Sequence, residues 1–281
     1  MLVRLAVAVA AFAAGPLVPI AHAAPGECAA KSGPGTAALV ELYTSQGCDS
    51  CPPADAWLRK LPAAGLAPGA IVPLALHVDY WDYIGWKDPF AQPGFAARQR
   101  ELAAITRSRV VYTPQVLLAG RDYRGWGGGR FAADVRAVNA APARSEIALA
   151  IAGAQSGAAG AQSGAAGAQS GAAGAQPGAA EVRASATVAR AEDRADAALY
   201  LAVYENGLSN RVTAGENRGA TLHHDFVVRE WWGPVALDRA GGAELARRPA
   251  RGIANGGVAA FVQSRRTGEV LQALALPSCK A

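Results

Sequence analysis

The stretch AALVELYTSQGCDSCPPADAWLRKL, residues 37–61, decides the fold. Its first seven letters are an apolar run of the length of a buried strand. TSQG reads as a loop, and Cys48-Asp49-Ser50-Cys51 then leads into Pro52-Pro53-Ala54-Asp55. Proline is favoured in the first turn of a helix, and aspartate is favoured there by the helix dipole. Trp57, Leu58 and Leu61 share one face of the helix that follows. A strand therefore delivers a C-x-x-C to the start of a helix.

Working outward, IVPLALHV (71–78) reads as a second buried strand and 95–107 as a helix. Thr113-Pro114 precedes QVLLA (115–119), a third strand. Gly120-Arg121 turns into a returning strand at 122–126, and 131–141 reads as a closing helix. The predicted order is β-α-β-α-β-β-α. After Pro142 the texture changes to short apolar or alternating runs at 146–151, 182–188, 199–204, 224–230, 235–237, 257–263 and 269–276. Short strands separated by Gly, Asn and Asp turns predict an antiparallel β-sandwich-like domain. The fold class expected is α/β plus β, with the first domain at 37–142 and the second at 143–281.

Between the first two sandwich strands the unit GAQSGAA starts at Gly153 and recurs at Gly160 and Gly167. It recurs again at Gly174 with Pro177 in place of Ser. The seven-residue period is not a coiled coil, because the unit has two glycines and no large residue at a and d. Its Gly/Ala/Ser composition predicts a mobile hairpin loop over 153–180 with no role of its own.

The 281 residues are 51% hydrophobic, 17% charged and 7% aromatic. Much of the apolar fraction is alanine, which buries little area per residue. Low charge and four cysteines exclude a charged disordered tail and a small disulfide-dense scaffold. The net charge of +5 comes from scattered arginines and implies no nucleic-acid partner. Residues 1–23 read as a secretory signal: Arg4, an apolar run from Leu5 to Ala14, prolines 16 and 19, and the small-x-small site Ala21-His22-Ala23. Residues 24–36 form an N-terminal segment. No stable membrane insertion is expected after cleavage, so the location expected is periplasmic or secreted.

Export into an oxidising compartment permits disulfides. If Cys48 and Cys51 form one pair, Cys28 and Cys279 remain, one near each mature end. Termini often lie close together, so a structural Cys28–Cys279 bridge is expected, with two unpaired thiols as the alternative. At a helix N-terminus the Cys48 thiolate is stabilised, which makes Cys48 the attacking sulfur. Cys51, one turn in, is placed to resolve a mixed disulfide. A cis Thr113-Pro114 bond would present the Thr113 backbone to an extended substrate.

These features resemble the thioredoxin superfamily over residues 37–141, on the stretches VELYTSQGCDSC, LALHVD and SRVVYTPQVLLAGRDYRGW. The chain more closely resembles an exported bacterial family of unknown function that pairs a thioredoxin-like domain with a C-terminal β domain. That second resemblance rests on TSQGCDSCPPAD, HVDYWDYIGWKDPF, GENRGATLHHDFVVRE and VAAFVQSRRTGEVLQALALP. It implies the fold more firmly than any activity.

The departures from thioredoxin carry information. Gly47 stands before Cys48 where Trp is usual, and Asp49-Ser50 fills the motif. An anion beside Cys48 disfavours its thiolate, which predicts a weaker oxidant than the strongly oxidising type at about −120 mV. The insertion 79–95 holds Tyr80, Trp81, Tyr83, Trp86, Phe90 and Phe95. It reads either as an aromatic wall in which Trp81 and Trp86 grip substrate, or as a cap that seals the two domains.

The histidines are weaker candidates. His77 reads as a strand histidine with a satisfied hydrogen bond, and His223-His224 as rings on opposite faces of a strand. No metal site is expected. A soft-metal site of Cys48, Cys51 and a histidine stands as the least favoured alternative. Gly125 to Arg130 lacks the G-K-[ST] of a phosphate cradle, and Trp231-Trp232 reads as sandwich core or rim rather than a ligand platform.

The sequence thus predicts an exported thiol–disulfide oxidoreductase acting on protein or small-molecule thiols, with no cofactor beyond its cysteines. A non-catalytic thioredoxin-like binding module is the main alternative.

Overall fold

The computed structural model describes residues 28–67, 69–153, 180–253 and 255–278. The chain is a mixed α/β protein dominated by strands. After β1 (Cys28–Lys31), the decisive stretch forms β2 (Ala38–Thr44) and α1 (Pro52–Lys60). There follow β3 (Ile71–His77), α2 (Pro93–Ile105), β4 (Gln115–Leu118), β5 (Arg121–Asp122) and α3 (Phe131–Ala140). The remainder is β6 (Glu146–Ala152), β7 (Glu181–Thr187), a short α4 (Ala191–Arg194), β8 (Ala197–Glu205), β9 (Leu208–Arg211) and β10 (Thr221–His224). It closes with β11 (Val227–Ala236), β12 (Gly242–Arg247), β13 (Gly256–Ser264) and β14 (Val270–Pro277). Among the described residues no helix is long and apolar enough to cross a membrane. The expected signal (1–23) and nearly all of the repeat loop fall outside the described residues.

The strands form an eight-stranded sheet, a four-stranded sheet and a two-stranded hairpin of β9 and β10. The large sheet runs β14-β13-β8-β11-β3-β2-β4-β5. β2 and β3 are parallel, as a strand–helix–strand crossover requires, and β4 returns antiparallel to β2. The four-stranded sheet, β1-β6-β7-β12, packs its alternating apolar face on β8 and β13. That half is a sandwich, as its period-two pattern dictates.

The two halves do not have separate sheets. β11 pairs antiparallel with β8 along its length and touches β3 in parallel at Val227–Ala75. The run at 224–230, expected as one strand, is two. β10 ends at His224, and Phe226 takes a left-handed φ of 58°. Asn206 Oδ1 accepts from the Phe226 N–H at 2.9 Å, and the Phe226 carbonyl accepts from Ala75 N at 2.8 Å. These bonds swing the chain out of the hairpin and into the central sheet beside β3.

Three cores follow from this layering. Ala38, Val40 and Leu42 point to one face of β2, against α1 and α3. Leu39 and Tyr43 point to the other, where α2 lies across both halves and contributes Phe95 and Leu102 against Tyr200 and Phe261. On that face Glu41, fully buried, accepts two bonds from Arg98 of α2 at 2.7 and 3.1 Å. Arg98 also donates to Gln263 of β13 at 2.9 Å, and its guanidinium lies 4.9 Å from the Trp231 ring centroid. One arginine thereby ties β2 to β13 across the seam. The Glu41 carboxylate holds the Arg98 guanidinium charged despite the burial that opposes it.

Candidate functional site

β2 ends at Thr44, and the loop Ser45 to Gly47 carries the chain to Cys48 at the mouth of α1. Cys48 and Cys51 are joined by a disulfide, with Cα atoms 5.5 Å apart. Both sulfur-bearing residues are fully buried, at 0% exposure, while Asp49 and Ser50 between them are exposed. Cys51 caps α1, and its carbonyl accepts from Ala54 and Asp55 N–H groups. No described cysteine is free. The Cys28–Cys279 pairing expected from sequence involves Cys279, which lies outside the described residues.

Two segments cover the pair. The insertion between β3 and α2 is one. Its Trp81 donates from Nε1 to Thr113 Oγ1 at 2.7 Å, and its Trp86 donates to Gln46 Oε1 at 3.1 Å. The Thr113-Pro114 peptide bond is cis. The second segment is the loop between β9 and β10. Asn217 donates to the carbonyls of Gln46 and Cys48 at 2.9 and 2.8 Å, and Glu216 Oε2 accepts from Asp49 N–H at 2.9 Å. Gly47 lies under both. A Cβ there would sit 3.1 Å from Trp81 Cβ and 3.3 Å from Ile84 Cδ1, which explains why no tryptophan precedes Cys48. Trp81 and Trp86 are thus fastened across the loop that leads to Cys48, and each is half-buried.

Beneath the first turns of α1 lies a polar cluster that sequence reasoning missed. Asp55 points inward from α1, His77 ends β3 and His224 ends β10, which packs on α1. All three are buried. Asp55 Oδ2 accepts from Thr44 Oγ1 at 3.0 Å. His77 Nδ1 lies 2.7 Å from Asp88 Oδ2, which also accepts from Gln46 N–H at 2.8 Å. His224 Nε2 receives the Gln46 side-chain amide at 3.1 Å. The two imidazoles meet edge to face, 4.9 Å between centroids.

Burial disfavours the charged His77 imidazolium, yet Asp88, with help from Asp55, reverses this and raises its pKa. Burial also opposes ionisation of Asp88, but His77 and two backbone N–H groups outweigh it and hold its pKa down. His77 thus has the hydrogen bond expected of it at Nδ1, whereas its Nε2 has no hydrogen-bond partner among the described residues. His223 is exposed and His224 buried, as alternation on a strand requires. The signal that could have found the cluster is weak: one Asp and two His from three distant segments, none in a ligand spacing.

Over residues 39–263 the chain matches the family described as "Protein of unknown function (DUF1223)". No curated protein matches it. Two solved structures share the fold. One is an Agrobacterium tumefaciens protein, 22% identical with a TM-score of 0.60, covering 89% of this chain and 98% of its own. The other is HBP35 of Porphyromonas gingivalis, 13% identical with a TM-score of 0.58, covering 89% of this chain and 79% of its own.

Proposed function

Because this chain belongs to the DUF1223 family, whose description assigns no function, we propose its activity from the site: an exported, thioredoxin-like thiol–disulfide oxidoreductase with a lidded cysteine pair. The observation that carries the reading is the Cys48–Cys51 disulfide at the start of a helix that follows a buried strand. The local sheet order β3-β2-β4-β5, with α1 and α3 on one face and α2 on the other, supports the thioredoxin-like assignment of residues 37–142. Trp81, bridging from Gly47 to Thr113, supports a substrate seat beside Cys48 once the lid opens.

The exchange is reversible. A partner thiolate attacks Cys48 Sγ, the Cys48–Cys51 bond breaks, and Cys51 leaves as a thiolate that takes a proton from solvent. The partner's second thiolate then attacks its own sulfur in the mixed disulfide and releases Cys48. The partner dithiol loses two electrons and the pair gains them. Exported protein thiols or small-molecule thiols in the periplasm or outside the cell are the substrates of this reading.

One observation favours a second reading: both cysteines are at 0% exposure. A pair sealed on both sides suits a structural bridge in a binding module. Redox titration of the mature protein, with trapping by Cys51→Ala, separates the two. A reversible potential and trapped mixed disulfides support the oxidoreductase. A pair that resists reduction in the folded protein and traps nothing supports the binding module.

A further inference from the structure

Asp55, His77 and His224 satisfy most of their hydrogen-bonding capacity, and what they leave over converges. His77 Nε2 and His224 Nδ1 are buried and have no hydrogen-bond partner among the described residues. A buried polar atom that nothing meets is costly, so such a pair points to a missing partner. His224 Nδ1 faces the Asp55 carboxylate, and one ligand atom from each of the three residues lies within 4.8 Å of the other two. The Asp55 Oδ1 to His224 Nδ1 separation is already 3.7 Å. A tetrahedral ion with bonds near 2.0–2.1 Å holds its ligand atoms about 3.3 Å apart.

We propose that Asp55, His77 and His224 form a buried site for a divalent transition-metal ion of the zinc class, ligated through Oδ1, Nε2 and Nδ1 respectively. Two imidazoles and one carboxylate are a borderline nitrogen–oxygen donor set. This distinguishes the site from a soft thiolate set, since the cysteines are bonded to each other. Three protein ligands leave a fourth position for a small molecule such as water. The surroundings already supply an outer shell. Asp88 holds His77 Nδ1 at 2.7 Å, the carboxylate–histidine arrangement that fixes Nε2 as the ligating nitrogen.

The site is coupled to the lid through Gln46. Trp86 Nε1 is a donor only, so Gln46 must turn its Oε1 to Trp86 and its amide N–H to His224 Nε2. A neutral His224 then carries its proton on Nδ1, facing Asp55. Ligation through Nδ1 moves that proton to Nε2, which needs an acceptor. Gln46 supplies one only by reversing its amide, and Trp86 then loses its partner. Metal uptake therefore unfastens one clasp of the lid over the disulfide.

The test uses the full mature chain with the cysteine pair kept oxidised, so that no thiolate competes. Zn²⁺ or Co²⁺ is supplied both to the native protein and during refolding, because the site is buried. The proposal expects one equivalent bound per chain, a thermal stability that rises with metal, and a Co²⁺ visible spectrum without thiolate charge transfer. Asp55→Asn and His224→Gln lose the stoichiometric ion. Asp88→Asn, which keeps all three ligands, weakens binding about 10–100-fold. The metal-induced change in tryptophan fluorescence vanishes in Trp86→Phe, which binds a few-fold more tightly because no clasp is broken. No uptake by the wild-type chain under either regime overturns the proposal. So does uptake that survives Asp55→Asn, or a fluorescence change that survives Trp86→Phe. Because the thiols are never reduced in these measurements, the outcome is independent of whether the pair is catalytic.

Discussion

At the scale of single residues, the Glu41–Arg98 pair is the clearest stability test. Removing the carboxylate by Glu41→Ala leaves a buried guanidinium between strands with one polar partner, Gln263. Breaking a buried pair in this way costs about 3–5 kcal/mol. Chemical denaturation should show that loss, and a substantially smaller cost for the double variant Glu41→Leu/Arg98→Met. A second residue-scale prediction concerns charge at Cys48. Glu216 places a carboxylate on the Asp49 N–H, beside the Asp49 side chain already in the motif. Two anions near Cys48 disfavour its thiolate and hence the reduced pair. Glu216→Gln should raise the reduction potential by on the order of 10–20 mV, since 30 mV corresponds to about 1.4 kcal/mol for two electrons and an exposed charge contributes less. A glutathione titration reads the shift, and a lowered potential would contradict the argument. The cysteines, Thr113-Pro114 and the two tryptophans were legible from sequence because each sits in a local pattern. Asp55, His77 and His224 were not, because only the three-dimensional packing of α1, β3 and β10 assembles them.

At the scale of elements, the lid is the feature sequence described but could not assign. The insertion 79–95 reads as a substrate wall or a cap, and the structure packs its Trp81 and Ile84 against Gly47, next to Cys48. The other half of the cover, Gly215 to Asn217, opens the stretch GENRGATLHHDFVVRE that carries the family resemblance, but a polar turn gives no sign of what it will pack against. Asn217→Ala removes two hydrogen bonds that hold the Gln46 and Cys48 carbonyls. The expected outcome is faster reduction of the native disulfide by a small phosphine, by roughly fivefold to tenfold for about 1–1.5 kcal/mol of lost closure. Unchanged kinetics would mean the lid opens without disturbing this clasp. The strands and helices of the first half emerged in the predicted order because their apolar runs are short and punctuated. The split of 224–230 was hidden, because HDFVVRE alternates as a strand would and the left-handed Phe226 is bulky rather than glycine.

At the scale of the whole molecule, the two expected domains share the eight-stranded sheet and the face of α2. The turn between β4 and β5 also meets the turn between β13 and β14 so closely that a Cβ on Gly120 would strike the Gly268 carbonyl. Nothing in a one-dimensional pattern reports that β11 lies between β8 and β3, because edge and centre strands have the same alternation. A shared sheet predicts one cooperative unfolding transition. Calorimetry and circular dichroism at far- and near-ultraviolet wavelengths should give coincident midpoints. Two resolved transitions, or a fragment spanning 143–281 that folds alone, would show the halves to be independent.

The clasp from Asn217 to Cys48 spans 169 residues of chain, and that distance is also an interval of time. A polypeptide is made from its N-terminus, at about 5–20 residues per second. When Cys48 and Cys51 emerge, the loop that will close over them is still many seconds from existing. The second arm of the hairpin, β10, and the sheet strands β11, β13 and β14 come later still. Until that loop has folded the two cysteines are uncovered, and afterwards a redox partner reaches them only when the cover opens. Formation of this disulfide and its concealment are thus successive steps of maturation. A chain that folds before oxidation would close over two thiols and be oxidised only as fast as the cover opens.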